Sequence, residues 1–109
     1  MAQLESSVGV PGGKLQVIVD APDDRPDAPP ILLVHSAVVD LRSWDAMVPY
    51  LVEGGYRVVR YDTRGYGRST TDDVEFSNRE DLRAVLDSLG IRQAAVVGNS
   101  RGAMIALDA

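Results

Sequence analysis

Three short apolar runs limit what this chain can become. Ile31-Leu32-Leu33-Val34, the segment from Tyr56 to Tyr61 centred on Val58 and Val59, and Ala94 to Val97 are too brief for helices. Each is apolar at consecutive positions, hence on both faces of a strand. A strand of that kind needs cover above and below, which an open parallel sheet between helices provides. Helical patterns fill the intervals. Ser43 to Glu53 places Trp44, Met47, Val48, Leu51 and Val52 at helical spacing, and Gly54 and Gly55 end it. Pro49 lies inside this stretch and predicts a kink or a late start. Ser77, three residues before Glu80, opens a capping box, and Leu82, Val85, Leu86 and Leu89 form the stripe behind it. Gly90 is the expected stop, and a helical pattern of small residues resumes from Arg101 to Ala109.

The N-terminal part reads differently. Lys14 to Asp20 alternates, with Leu15, Val17 and Val19 on one face and Gln16, Ile18 and Asp20 on the other. Pro11, Gly12 and Gly13 make a turn before it, so Leu4 to Val10 is its expected hairpin partner. Ala21 to Pro30 carries four prolines and reads as a surface loop, and Asp62 to Phe76 is polar and glycine-bearing, again a loop. The order is hairpin, then strand and helix three times over. It predicts an α/β fold with a mostly parallel sheet, right-handed crossovers and an N-terminal antiparallel hairpin.

Gly98-Asn99-Ser100-Arg101-Gly102 matches G-x-S-x-G between a predicted buried strand and a predicted helix. That context is what a nucleophile elbow requires: a tight turn that stands the serine oxygen at a helix N-terminus, where N–H groups and the dipole favour negative charge. The plainer alternative is a strand–turn–helix joint with Ser100 as an ordinary N-cap.

From Ile31 to Ala109 the chain resembles the N-terminal half of the α/β-hydrolase family. His35-Ser36 resembles the family's His-Gly oxyanion segment, and Trp44 falls where many members carry Trp in the first helix. Asp62-Thr63-Arg64-Gly65-Tyr66-Gly67-Arg68-Ser69 resembles the D-x-R-G-x-G-x-S loop, and Gly98 to Gly102 the elbow. The resemblance implies a sheet order of 1-2-4-3-5, with Ile31–Val34 beside Ala94–Val97. It implies Ser100 as nucleophile and an oxyanion hole of two backbone N–H groups, from Arg101 and Ala37. Ser36 replaces the usual glycine and Ala103 a second elbow glycine. Arg101 stands where many members carry Met or Leu; its guanidinium can serve an acidic substrate, or its stem can pack while its charge meets water. His35 is the only base candidate in the chain, and a place at the end of a strand beside the elbow strand could bring it near Ser100. The resemblance instead makes it structural, with the catalytic histidine coming much later. It makes Asp40, Asp62 and Arg64 structural too, the last two through hydrogen bonds within their own loop.

The family's triad runs serine, acid, histidine, and the sequence ends nine residues after Ser100. Residues 1–109 are therefore expected to be the N-terminal part of one α/β-hydrolase domain, truncated after the elbow and inactive alone. The implied activity is acyl transfer on an ester, amide or C–C bond of a small molecule. The competing reading is a non-catalytic fragment or a subunit completed by a partner. Other classes fail on the residues. Gly65-Tyr66-Gly67 has Thr70 at the third glycine of a dinucleotide loop, and Leu15 follows Gly13-Lys14 where a phosphate loop needs Ser or Thr. With no cysteine and one histidine, no metal site or cofactor is expected. Ten arginines scattered among 16 carboxylates, net charge −5, give no nucleic-acid surface. No apolar run approaches the ~18 residues of a membrane span, and Met1 to Val10 lacks a signal-peptide pattern, so a cytoplasmic protein is expected. An uncovered Ala94–Val97 edge would favour self-association.

Overall fold

Pro11 fixes its own φ and Gly12 takes a positive φ of 75°, so the chain reverses in two residues. In the computed structural model, which describes residues 1–108, this turn joins β1 (Ala2–Val10) to β2 (Gly13–Ala21) along their full lengths. The loop after β2 is mostly exposed, but Ala28 within it is buried. Next come β3 (Pro30–Val34), a 3-10 turn (Leu41–Trp44), α1 (Val48–Glu53) and β4 (Arg57–Tyr61). A two-residue β5 (Thr70–Thr71), α2 (Asn78–Ser88), β6 (Ala95–Gly98) and α3 (Arg101–Asp108) complete the order.

The sheet runs β1-β2-β4-β3-β6. β3 pairs in parallel with β4 on one side and β6 on the other, while β2 pairs antiparallel with β1 and β4. This is the expected order, β6 being the fifth long strand. β5 was not expected: it pairs with Gly13 and Lys14, and a side chain on Gly13 would stand 2.3 Å from the Thr70 carbonyl oxygen. A glycine is needed there for close backbone approach.

The sheet carries a core on each face. Leu15, Val17, Leu32, Val34, Val59 and Tyr61 pack with Leu82 and Val85 of α2 and Ile105 of α3. On the other face, Ile31, Leu33 and Val58 meet Trp44, Val48 and Val52. The segment expected as one helix over Ser43–Glu53 is two pieces. Pro49 sits in the first turn of α1, where a missing N–H costs nothing, and the residues before it form the 3-10 turn. Ser77 caps α2 by accepting from the Glu80 N–H at 3.3 Å, and Gly90, at φ 68°, follows its end. β6 is outermost, and Val97 on it and Met104 and Leu107 on α3 are exposed.

Charges are buried in pairs. Arg64 does not stay within its own loop, as expected, but reaches Asp81 on α2 with a bidentate pair at 2.9 and 2.7 Å, both groups buried. It also donates to the Pro11 carbonyl and lies 4.6 Å from the Phe76 ring centre. One guanidinium thus ties the hairpin turn, the loop after β4 and α2. Arg64→Leu should cost about 3–5 kcal/mol, because Asp81 is left as an unpaired buried charge. Adding Asp81→Leu should restore much of the loss, and urea unfolding of the single and double variants measures both.

Candidate active site

Val34 ends β3 and Gly98 ends β6 in register, so the loops that follow leave the sheet side by side. Their spacing is set by two glycines. A Cβ on Gly102 would stand 2.2 Å from the Val34 carbonyl oxygen, and one on Gly98 would stand 2.3 Å from the Gly102 carbonyl oxygen. Any side chain at either position would push α3 off the sheet. The flanking glycines of the motif are therefore packing requirements. Among the described residues no cluster of His, Cys, Asp or Glu is placed to hold a metal ion.

Ser100 is exposed at the turn from β6 into α3. It is the sole non-glycine residue with positive φ, at 58°, among those described. Its carbonyl oxygen accepts from Ala103 N at 2.9 Å, so its main chain opens the helix. Its hydroxyl caps nothing among the described residues, and an ordinary N-cap is extended, as Ser77 is at φ −122°. The geometry therefore departs from the plain N-cap alternative.

Ala37 lies in the loop that follows β3, and Arg101 is the first residue of α3. Arg101 opens α3, so its N–H has no partner inside the helix. Neither it nor the Ala37 N–H donates to any other backbone carbonyl among the described residues. Ser36, in place of glycine, is accommodated without a positive φ.

His35 is fully buried. Its Nε2 accepts the Thr63 backbone N–H at 2.9 Å, and its Nδ1 lies 2.7 Å from the Ser36 carbonyl oxygen. An acceptor at Nε2 places the ring proton on Nδ1, which donates to Ser36 O. Arg101 does not leave its charge to water. Its guanidinium turns inward, donating from Nη1 to Thr63 Oγ1 at 3.2 Å and lying 5.0 Å from the Tyr66 ring centre.

The loop after β4 is braced on Asp62, which accepts from Leu41 N at 2.8 Å and Arg68 N at 2.9 Å. A Cβ on Gly67 would collide with that carboxylate at 2.3 Å. Asp40 caps the 3-10 turn through Arg42 N at 2.9 Å, and hydrogen bonding from the Arg42 guanidinium holds its carboxyl below the usual carboxylate range. Burial pushes the Tyr61 hydroxyl well above its ordinary value, and it has no hydrogen-bond partner among the described residues. Sequence reasoning gave no sign of Thr63 or Tyr66 as neighbours of the elbow. They lie inside a recognised loop motif, but their contact with Arg101 depends on β3 lying between β4 and β6.

A family model described as alpha/beta hydrolase fold matches residues 29–109. The chain belongs to the alpha/beta hydrolase fold family. Epoxide hydrolase B of Mycobacterium tuberculosis is 37% identical over 111 residues, covering 97% of this chain and 31% of that protein. The bifunctional esterase/perhydrolase DCH of Acinetobacter calcoaceticus is 38% identical over 79 residues, 70% of this chain and 29% of its own. Among solved structures, epoxide hydrolase A from Mycobacterium thermoresistibile superposes with TM-score 0.85 at 28% identity, over 98% of this chain and 34% of that one. The chain spans about a third of the length of these relatives. Their names make this chain a member of a hydrolase family.

Two substitutions test the elbow as a physical object. Gly102→Ala should destabilise by about 1–3 kcal/mol, since the Val34 carbonyl must move. Ser100→Gly should stabilise by up to about 1 kcal/mol, the relief of a left-handed backbone less the entropy glycine loses on folding. Ser100→Ala keeps the strain and should show no such gain. Thermal midpoints of the three variants decide, and a Gly variant less stable than the Ala variant by glycine's full entropic cost of about 0.5–1 kcal/mol would mean that no strain is stored there.

Proposed function

We propose that this protein is a serine-nucleophile hydrolase acting by acyl transfer on a small-molecule ester, amide or C–C bond, with Ser100 as the attacking group. The observation that carries this reading is Ser100 itself: exposed, at φ 58°, its hydroxyl uncommitted at the head of α3. Ser100 Oγ adds to the carbonyl carbon as a base takes its proton. The carbonyl oxygen becomes an oxyanion, held by the Arg101 and Ala37 N–H groups and by the positive end of α3. Collapse expels the leaving group, which takes up the proton, and water then cleaves the acyl-enzyme ester.

His35 is not that base. Its Nε2 is occupied by the Thr63 N–H and its proton is held by Ser36 O. It is the only histidine of the sequence, so no other histidine among these 109 residues is left to serve as the base. The same fact supports a second reading, a chain that works only when completed by a partner.

Serine also separates the chemistries named among the relatives. An acyl group on a serine oxygen is an ester, which activated water removes. An epoxide opened by a serine oxygen would leave an alkyl ether, which water does not cleave under the same conditions. Acyl substrates therefore fit Ser100, and epoxides do not.

The test uses the protein expressed from its full reading frame, a short-chain aryl ester and an aryl epoxide. We expect ester turnover that falls by roughly a thousandfold or more in Ser100→Ala, with the fold unchanged by circular dichroism. No diol should form from the epoxide. Wild-type turnover in Ser100→Ala, or Ser100-dependent diol formation, would refute the proposal.

A further inference from the structure

We infer that Arg101, Thr63 and His35 form a positioning relay that orients the Ser36–Ala37 peptide, and with it the Ala37 N–H, toward the substrate oxygen. The inference rests on the acyl-transfer reading for its purpose but not for its geometry.

The relay starts on the elbow and ends on the neighbouring loop. Arg101 Nη1 donates to Thr63 Oγ1 at 3.2 Å. Thr63 presents both its backbone N–H, at 2.9 Å, and its hydroxyl, at 3.2 Å, to His35 Nε2. With its oxygen engaged as an acceptor by Arg101, the Thr63 hydroxyl is free to turn its hydrogen to Nε2. Two donors on one ring nitrogen exclude a proton there and leave it on Nδ1. Nδ1–H then donates to Ser36 O at 2.7 Å, and Val39 N approaches the same oxygen at 3.4 Å.

The last link carries the consequence. Ser36 C=O and Ala37 N–H belong to one planar amide, and in a trans peptide they point in opposite directions. Drawing the carbonyl inward to His35 turns the N–H outward. That N–H donates to no backbone carbonyl among the described residues. His35 is thereby a positioning residue, and so are Thr63 and Arg101. Arg101 then acts twice: its N–H at the elbow, and its side chain as the brace of the opposite donor. Tyr66 keeps the guanidinium in place, 5.0 Å from Arg101 and with its ring 5.6 Å from that of His35.

The relay is tested first without chemistry at Ser100. Solid-state 15N NMR of histidine-labelled chain reads the tautomer of its one histidine, whether the chain is monomeric or associated. The expected spectrum shows Nδ1 protonated and Nε2 unprotonated, with the Nε2 shift moving in Thr63→Val and Arg101→Leu. The opposite tautomer, or an Nε2 shift unmoved by both variants, overturns the inference. The second arm measures aryl-ester kinetics on the protein from its full reading frame. Thr63→Val and Arg101→Leu should each lower kcat by about tenfold with KM little changed, less than the roughly hundredfold that loss of a whole oxyanion donor costs. Thr63→Ser, which keeps the hydroxyl, should restore the rate. A Thr63→Ser protein as slow as Thr63→Val, or kcat unchanged in both relay variants, also overturns it. If Ser100→Ala instead keeps full activity, the nucleophile assignment fails, while the NMR arm still decides the relay.

Discussion

The contact on which the site depends is the approach of α3 to the end of β3. Val34 O lies where a Gly102 Cβ would be, and the same carbonyl accepts from Asn99 N at 3.3 Å. Removing two side chains, at positions 98 and 102, lets a helix start against a strand end. The turn between them is then too short for an ordinary backbone path, and Ser100 absorbs the difference at φ 58°. The exposure of its hydroxyl is a by-product of packing that the helix and sheet impose.

The second constraint is the burial of charge around that contact. Arg64 with Asp81, and Arg60 with Asp20 and Asp45, sit in or at the edge of the core. Such pairs add little net stability over apolar packing, but they are costly to break, so they fix which elements may lie together. Arg64 fixes α2 against the hairpin turn, and Arg60 holds the Leu41 carbonyl at 3.2 Å on the other face. The loop after β4 is thus tied to α2 by Arg64 and to the 3-10 turn by Asp62, which accepts from Leu41 N at 2.8 Å, and Thr63 is held between them against His35 and Arg101.

Much of this was legible in the sequence. The apolar runs at Ile31–Val34 and Val58–Val59 are strands buried on both faces, and the capping box at Ser77 opens α2. Sheet order was not derivable from periodicity; it came with the family resemblance. What escaped was everything set by long-range contact. Nothing in the sequence singled out Asp81 beside Glu80, yet it is 3% exposed because Arg64 arrives from another element. Ile18 and Asp20 occupy the polar side of an alternating strand, yet both are buried. Within the candidate site, the glycine spacing and Ser100 were visible, while the inward turn of Arg101 was not, because no local rule favours Thr63 over water.

The left-handed backbone at position 100 also limits which amino acids the elbow can hold. β-Branched residues pay heavily at positive φ, so threonine, the other hydroxyl nucleophile, is disfavoured on conformation alone. Aspartate and asparagine tolerate the same region better than most residues. A carboxylate could therefore take this place without redrawing the chain. Its adduct with an alkyl carbon would be an ester, open to water, where that of serine would be an inert ether. One backbone angle leaves this scaffold a choice between two nucleophiles, and with it a choice between acyl and alkyl electrophiles.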